Sequence, residues 1–432
     1  MKAILLSIGD ELVLGQTIDT NSAWLAQQLA GVGCGVVRHV TVGDDQGDLE
    51  EALRAAASID VIVATGGLGP TDDDLTRFAV AAVAGTDLVM NPHWLARIEE
   101  FFRLRNRPMV ERNKVQAMLP AGAVALDNPH GTACGFSITL PGGAPAYFLP
   151  GVPKEMKPMF SGFVLPEIRR RSGGAVVLQR TLHTFGVGES QVAEMLGDLM
   201  RRGRNPSVGT TVSNNIVSLR INCRGATRDE AEQAMTDTIA ACAARLDDLV
   251  FGSDEATLQS VVARLLTEAK STVTTAESCT GGLLAKYLTD IPGSSACFTQ
   301  GFVTYSNEAK RARLGVSENV INVHGAVSEP VAIAMARNAR RLADADYALA
   351  ISGIAGPGGG TPIKPVGTVC IALAQLPPPG ERATRTRDRE DEVSVVARTF
   401  NFPGDREMIR DRAAKMAMAL LRYRLLGKPP PF

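Results

Sequence analysis

Three apolar runs, KAILLSIG (2–9), GVVRHVTVG (35–43) and IDVIVATGG (59–67), alternate with two helix-patterned segments, NSAWLAQQLAGVG (21–33) and DLEEALRAAAS (48–58). This alternation leaves few folds open. It calls for a parallel sheet flanked by helices, with ligands at the carboxyl ends of the strands. The β-branched residues of the third run indicate a strand buried on both faces. Asn21 reads as the N-cap of the first helix, and acids fill the first turn of the second. Chemistry-bearing residues fall at the strand ends: GDE (9–11) after the first strand and TGGLGPTDDDLT (65–76) after the third.

The 65–76 loop is neither a Walker loop nor a GxGxxG fingerprint, since no Gly-Lys-Ser/Thr follows. Its glycines let backbone amides approach an anion, and Asp72, Asp73 and Asp74 stand beside them. Carboxylates next to a phosphate cradle make sense when a divalent cation neutralises both. The plainer reading is a turn leading into an acidic helix start. Two further Gly/Pro loops, NPHGTACGF (128–136) and LPGVPKEMKPM (149–159), are expected to complete one cleft.

A chain of 432 residues is expected to hold two or three domains. Its formal charge of −1 gives no basic field for nucleic acid. No apolar run approaches the ~20 residues of a membrane span. The seven cysteines (34, 134, 223, 242, 279, 297, 370) are odd in number and form no CxxC pair. Neither a zinc site nor a disulfide framework is indicated, and a reducing cytoplasm is expected.

Residues 175–252 carry a different pattern. AVVLQRTLHTF, SVGTTV and IVSLRINCRG read as strands, and GESQVAEMLGDLM and TRDEAEQAMTDTIAACAARL as helices. Glu189 reads as a first-turn acid rather than a ligand. No RNA binding is expected, because no GxxG loop is present.

In the last third, a helix starting at Asp254 precedes STVTTAESCTGGLLAKYLTD, a strand turning sharply into a helix. Ser278 and Cys279 sit on that turn. The amides of Thr280, Gly281 and Gly282 are expected at the positive helix end, suited to an oxyanion. A cysteine there would have a lowered pKa, so either residue is a candidate nucleophile. Their plain readings are an N-cap serine and a small buried cysteine. For a base there are two candidates. Lys310 lies one turn into a helix beginning near Ser306, where desolvation can free its amine; otherwise it is a surface lysine. His324 is the rival. A glycine-rich loop, ISGIAGPGGGTPIKPVGT (351–368), suits a phosphate or a charged ring.

SIGDELVLGQTIDTNSAWLAQQL, TGGLGPTDDDLT, NPHGTACGF and LPGVPKEMKPM resemble the N-terminal domain of the CinA family, itself similar to MoaB/MogA-type molybdopterin-binding proteins. TVTTAESCTGGLLAKYLTDIPGSS, GFVTYSNEAKRARLGV, HGAVSEPVA, ISGIAGPGGGTPIKPVGTV and FPGDREMIR resemble that family's C-terminal nicotinamide-nucleotide amidohydrolase domain.

The resemblance implies an α/β protein in three parts. These are a MoaB/MogA-like three-layer domain (1–170), a small KH-like α+β connector (175–252) and an α/β amidohydrolase domain (254–427). It implies Ser278 as nucleophile and Lys310 as base, oriented by Tyr305 and Asn307. Thr280, Gly281, Gly282, Ser352, Gly353, Gly356 and Arg406 would hold the substrate, nicotinamide mononucleotide, without a cofactor. For the N-terminal cleft it implies an ADP-ribose pyrophosphatase needing a divalent metal ion, with potassium assisting. The expected ligands are Asp10, Glu11, Asp73 and Asp74, and the expected phosphate cradle is Gly66, Gly67, Gly69 and Thr71. Cys134 stands where proline is expected in the family's GTAPG loop. The segment 377–395 is longer than the pattern needs and reads as a solvated hairpin loop. A cytoplasmic homodimer is expected. The rival of another class is a pterin-binding or competence-linked regulatory protein with little catalysis.

Overall fold

The computed structural model describes residues 1–173, 176–376 and 393–432. Its contacts divide the chain into two compact units, Met1–Gln179 with Asn222–Thr236, and Arg180–Ile221 with Asp237–Phe432.

A six-stranded sheet in the order Gly35–Val42, Lys2–Ile8, Val61–Thr65, Pro145–Leu149, Gly135–Thr139, Val124–Leu126 organises the first unit. The first four strands run parallel, and the last two pairings are antiparallel, so that Gly135–Thr139 alone is reversed among these six. Alternate residues of Lys2–Ile8 enter opposite cores. Ile4 and Leu6 pack with Phe136, Phe148 and Trp94, while Ala3 and Leu5 pack with Leu25, Met156 and Phe160. That period of two produces a three-layer sandwich. After a single turn of helix at Asp10–Val13, the helix Thr20–Gly31 is capped by Asp19, which accepts the Ser22 amide at 2.9 Å. Asn21 is not the cap; its side chain donates to the Gly151 carbonyl at 2.7 Å.

The connector is a four-stranded sheet ordered Ser207–Ser213, Ile216–Gly225, Val176–Thr184, Val250–Ser253, with helices Glu189–Leu196 and Arg228–Leu246. The fourth strand, four residues long, is too short for alternation to reveal it. Glu189 is a first-turn acid and accepts the Thr210 hydroxyl at 2.7 Å.

The second unit's main sheet runs Phe298–Val303, Val273–Glu277, Tyr347–Gly353, Thr368–Gln375, Ser394–Asn401. Its first three strands are parallel, so their carboxyl ends lie side by side. The helix Leu258–Glu268 begins at Thr257, which forms a reciprocal cap with Ser260. Asp254, expected to start that helix, instead has φ 54° and accepts the Thr181 amide. Most of the solvated loop expected at 377–395, residues 377–392, lies outside the described residues. All seven cysteines are free and buried. Among the described residues no helix is long and apolar enough to cross a membrane.

Candidate functional site

The strand Val273–Glu277 is buried at every position and delivers Ser278 between two neighbouring strand ends. On one side lie Thr304 and Tyr305, on the other Ser352 and Gly353. Ser306 caps the helix Asn307–Leu314 by accepting the Ala309 amide, which sets Lys310 one turn in and pointing back. The Lys310 Nζ lies 3.0 Å from Ser278 Oγ, 3.0 Å from the Thr304 carbonyl and 3.4 Å from the Tyr305 carbonyl. Carbonyls only accept, so two amine hydrogens go to them. The lone pair of a neutral amine is then left facing the serine hydroxyl. Lys310 is 1% exposed, and burial pulls its pKa below the ordinary lysine value. A solvated surface lysine it is not.

The loop after Ser278 differs from expectation. The amide of Gly282 does not face a ligand; with those of Leu284 and Ala285 it donates to the fully buried Glu277 carboxylate at 2.8–3.0 Å. The Gly281 amide donates to the Ser278 carbonyl at 3.1 Å. A buried anion at the strand end thus takes up the positive helix end. The amide of Thr280 has no acceptor among the described residues, and that of Cys279 meets only its own thiol. These two are the donors left for an oxyanion.

Cys279 does not have the lowered pKa expected at such a turn: burial pushes its thiol up to about 12. His324 is exposed, its carbonyl held by Lys364, and no contact links it to Ser278. Tyr305 reaches the pair through its carbonyl, while its hydroxyl accepts from Arg406 at 2.9 Å. Asn307 does not join the pair; it is exposed in the first turn of its helix. Ser352 is buried and donates to the Ala326 carbonyl at 2.7 Å, so it anchors that loop instead of facing a ligand. Arg406 bridges the Gly356 carbonyl (2.7 Å) and Tyr305. Gly353 packs where a Cβ would stand 2.7 Å from Val369. Sequence reasoning missed Glu277 and Arg410, the latter donating to the Cys279 and Thr280 carbonyls. The signal for Arg410 was its i+4 spacing from Arg406 on one helix face.

In the first unit, the three loops do enclose one cavity of about 620 Å³, lined by Gly66, Gly67, Gly69, Thr71 and the acids Glu11, Asp44, Asp73, Asp74 and Glu155. Gly66 has φ 109°, and a Cβ there would sit 2.2 Å from the Ile8 carbonyl. The expected cradle is largely closed from within. Gly66 N donates to Leu149 O, and Asp74 accepts the amides of Gly69 (2.7 Å) and Thr71 (2.8 Å) together with the Thr71 hydroxyl. Behind the loop, buried Arg77 donates to the Leu68 and Gly69 carbonyls, burial drawing its pKa down to about 10.

Asp10 points at the Asp44 amide and is not among the lining residues. Asp44, absent from the expected set, has its pKa raised by burial, with Asp10, Asp73 and Glu11 adding to the rise. Among the described residues no group of three or more His, Cys, Asp or Glu is placed to hold one metal ion. Asp10, Glu11, Asp73 and Asp74 therefore do not fit a cation in this arrangement, because two of them are engaged with backbone amides. Cys134, in the proline position, is buried and bonds the Gly135 carbonyl.

Residues 255–425 match the CinA C-terminal domain, residues 4–170 the probable molybdopterin binding domain, and residues 179–252 the KH domain of damage-inducible protein CinA. A CinA-like protein of Geobacter metallireducens is 44% identical over 429 residues, covering 99% of this chain and 100% of its own. The chain belongs to the CinA family. A CinA-like protein of Geobacter sulfurreducens is 42% identical, with coverage of 99% and 100%. The solved competence/damage inducible protein CihA from Agrobacterium tumefaciens is 38% identical, covering 39% of this chain and 93% of its own, at a TM-score of 0.34. The fold is α/β, with an N-terminal part of the probable molybdopterin binding type, a KH-like connector and a CinA C-terminal domain. Family membership places the chain among CinA-type enzymes or competence-damage proteins.

Proposed function

We propose that the second unit hydrolyses the carboxamide of nicotinamide mononucleotide, giving nicotinate mononucleotide and ammonia. The observation that carries this reading is the 3.0 Å contact between Ser278 Oγ and a buried lysine whose other two neighbours are carbonyls. Ser278 attacks the carboxamide carbon as its proton passes to Lys310, a Ser–Lys variant of triad chemistry. The carbonyl oxygen takes up negative charge facing the amides of Cys279 and Thr280. Lys310 returns the proton to the leaving nitrogen, the C–N bond breaks and ammonia departs. A water then attacks the acyl-serine, giving its proton to Lys310, and Ser278 is regenerated. We assign Arg406, between the Gly356 loop and Tyr305, to the substrate phosphate. Ammonia release from nicotinamide mononucleotide by the purified full chain tests the reading; no release by the wild type ends it.

The cavity of the first unit supports a second proposal, a site for a nucleotide pyrophosphate such as ADP-ribose. Its volume favours it, while the loop amides are held by Asp74 and the carboxylates as arranged assign no hydrolytic step. Assays of AMP release from ADP-ribose, with and without added magnesium, test it. Absence of both release and binding removes it.

A further inference from the structure

An oxyanion site made of loop amides needs something to fix where those amides point. The turn after Ser278 runs through two left-handed glycines, Gly281 (φ 60°) and Gly282 (φ 93°), whose own amides are already spent on the Ser278 carbonyl and the Glu277 carboxylate. In a planar trans peptide the carbonyl and the N–H point in opposite directions, so whatever grips the carbonyl aims the amide. The carbonyl of Ser278, which shares a peptide with the Cys279 amide, is held by the Gly281 amide. The carbonyl of Cys279, which shares a peptide with the Thr280 amide, accepts from Arg410 Nε at 3.2 Å. The next carbonyl, that of Thr280, accepts from Arg410 Nη2 at 2.7 Å and from the Leu283 amide at 3.2 Å.

We propose that Arg410 is a positioning residue for the amidase: its guanidinium holds two successive loop carbonyls on one side and thereby keeps the Thr280 amide aimed at the reacting oxygen on the other. This rests on the amidase reading given above. Arg410 contacts the loop behind Ser278 and neither Ser278 nor Lys310. Its rigid fork matches two adjacent acceptors, which a lysine cannot span. Its own place is fixed by the next residue. Asp411 accepts from the Tyr287 hydroxyl (2.6 Å), on the helix that follows the loop, and from Asn215 Nδ2 (3.0 Å).

The test uses the full chain carrying Arg410→Met, Arg410→Lys or Arg410→Ala, each checked for folding by circular dichroism. Losing one oxyanion donor lowers kcat by roughly 10²–10³, so a misaimed donor is expected to lower it about 10- to 100-fold with KM within about threefold. Millimolar guanidinium should restore part of the kcat of Arg410→Ala and none of that of Arg410→Lys, whose side chain fills the space. A second readout is independent of the substrate: the rate at which a fluorophosphonate labels Ser278, followed by intact mass. That phosphonylation also places charge on an oxygen in the amide site, and Arg410→Met should slow it at least tenfold. Slow labelling in Arg410→Met beside fast labelling in a wild type that releases no ammonia would sustain the positioning role and remove only the substrate reading. A folded Arg410→Met that labels and turns over like the wild type, or that loses activity through KM alone with no guanidinium rescue, overturns the proposal.

Discussion

Replacing Lys310 with methionine should change stability in a way that depends on pH, and the dependence reports whether the lysine is held neutral. Burial depresses the Lys310 pKa below its value of 10.5 in an exposed chain. Below the depressed value, the folded protein must carry a buried ammonium; between that value and 10.5, the unfolded chain binds the extra proton. Stability therefore rises with pH through that window, by about 1.4 kcal/mol per pH unit for this one group. Lys310→Met has no such group, so its advantage is greatest at low pH and disappears above 10.5. A constant penalty offsets it, because the Thr304 and Tyr305 carbonyls lose their donor, at roughly 1–3 kcal/mol each. Only the slope is diagnostic. Urea titrations followed by circular dichroism, from pH 6 to 11, give the difference between variant and wild type. In parallel, kcat/KM of the wild type should climb along a limb whose pKa lies below that of an ordinary lysine. A stability difference that stays flat across the range, or activity that falls with rising pH, would refute the neutral-amine argument.

Ser278→Ala should abolish ammonia release, on the order of 10⁴-fold or more, while Cys279→Ala largely spares it; with its thiol pushed up to about 12, Cys279 should also resist iodoacetamide at pH 8. EDTA should leave ammonia release unchanged, since the proposed steps use only side chains and backbone amides. Asn215→Ala removes one of the partners of Asp411 and of Arg412, and should lower the stability of the second unit by about 1–3 kcal/mol in urea. A fragment starting at Asp254 drops Asn215 and the Asp248 and Val250 carbonyls that Arg422 grips, so it should melt below the full chain's second unit. Asp74→Ala strips three hydrogen bonds from the 69–71 loop; the fluorescence of Trp24 and Trp94, both in the first unit, should show that unit destabilised.

The strands and most helices were legible because their apolar periods are strong. Helix starts were less so: Asp19 and Thr257 each compete with a nearby polar residue that caps equally well in isolation. The residues alone left Ser278 against Cys279 and Lys310 against His324 open, and the resemblance singled out the Ser278–Lys310 pair. Lys310 sits in NEAKRARL, a strongly polar helix whose burial at that one position depends on a sheet edge assembled from distant segments. The amides were misplaced for a related reason. Glu277 ends a buried strand, and nothing in its neighbours shows that its carboxylate turns back to hold three amides of the following helix. The same kind of local competition was hidden in the first unit, where two of the four carboxylates chosen as cation ligands, Asp10 and Asp74, accept backbone amides.

Asp74 makes the Gly69–Thr71 loop its own occupant. Any anion that uses those amides must displace a covalently tethered rival, not water. Tethering gives that carboxylate an effective concentration far above what a free metabolite reaches. Apparent affinity at the loop is thus divided by the small fraction of time for which Asp74 has let go. The loop acts as a threshold: weakly charged bystanders are refused, and only a ligand that repays the release through contacts elsewhere in the cavity can stay.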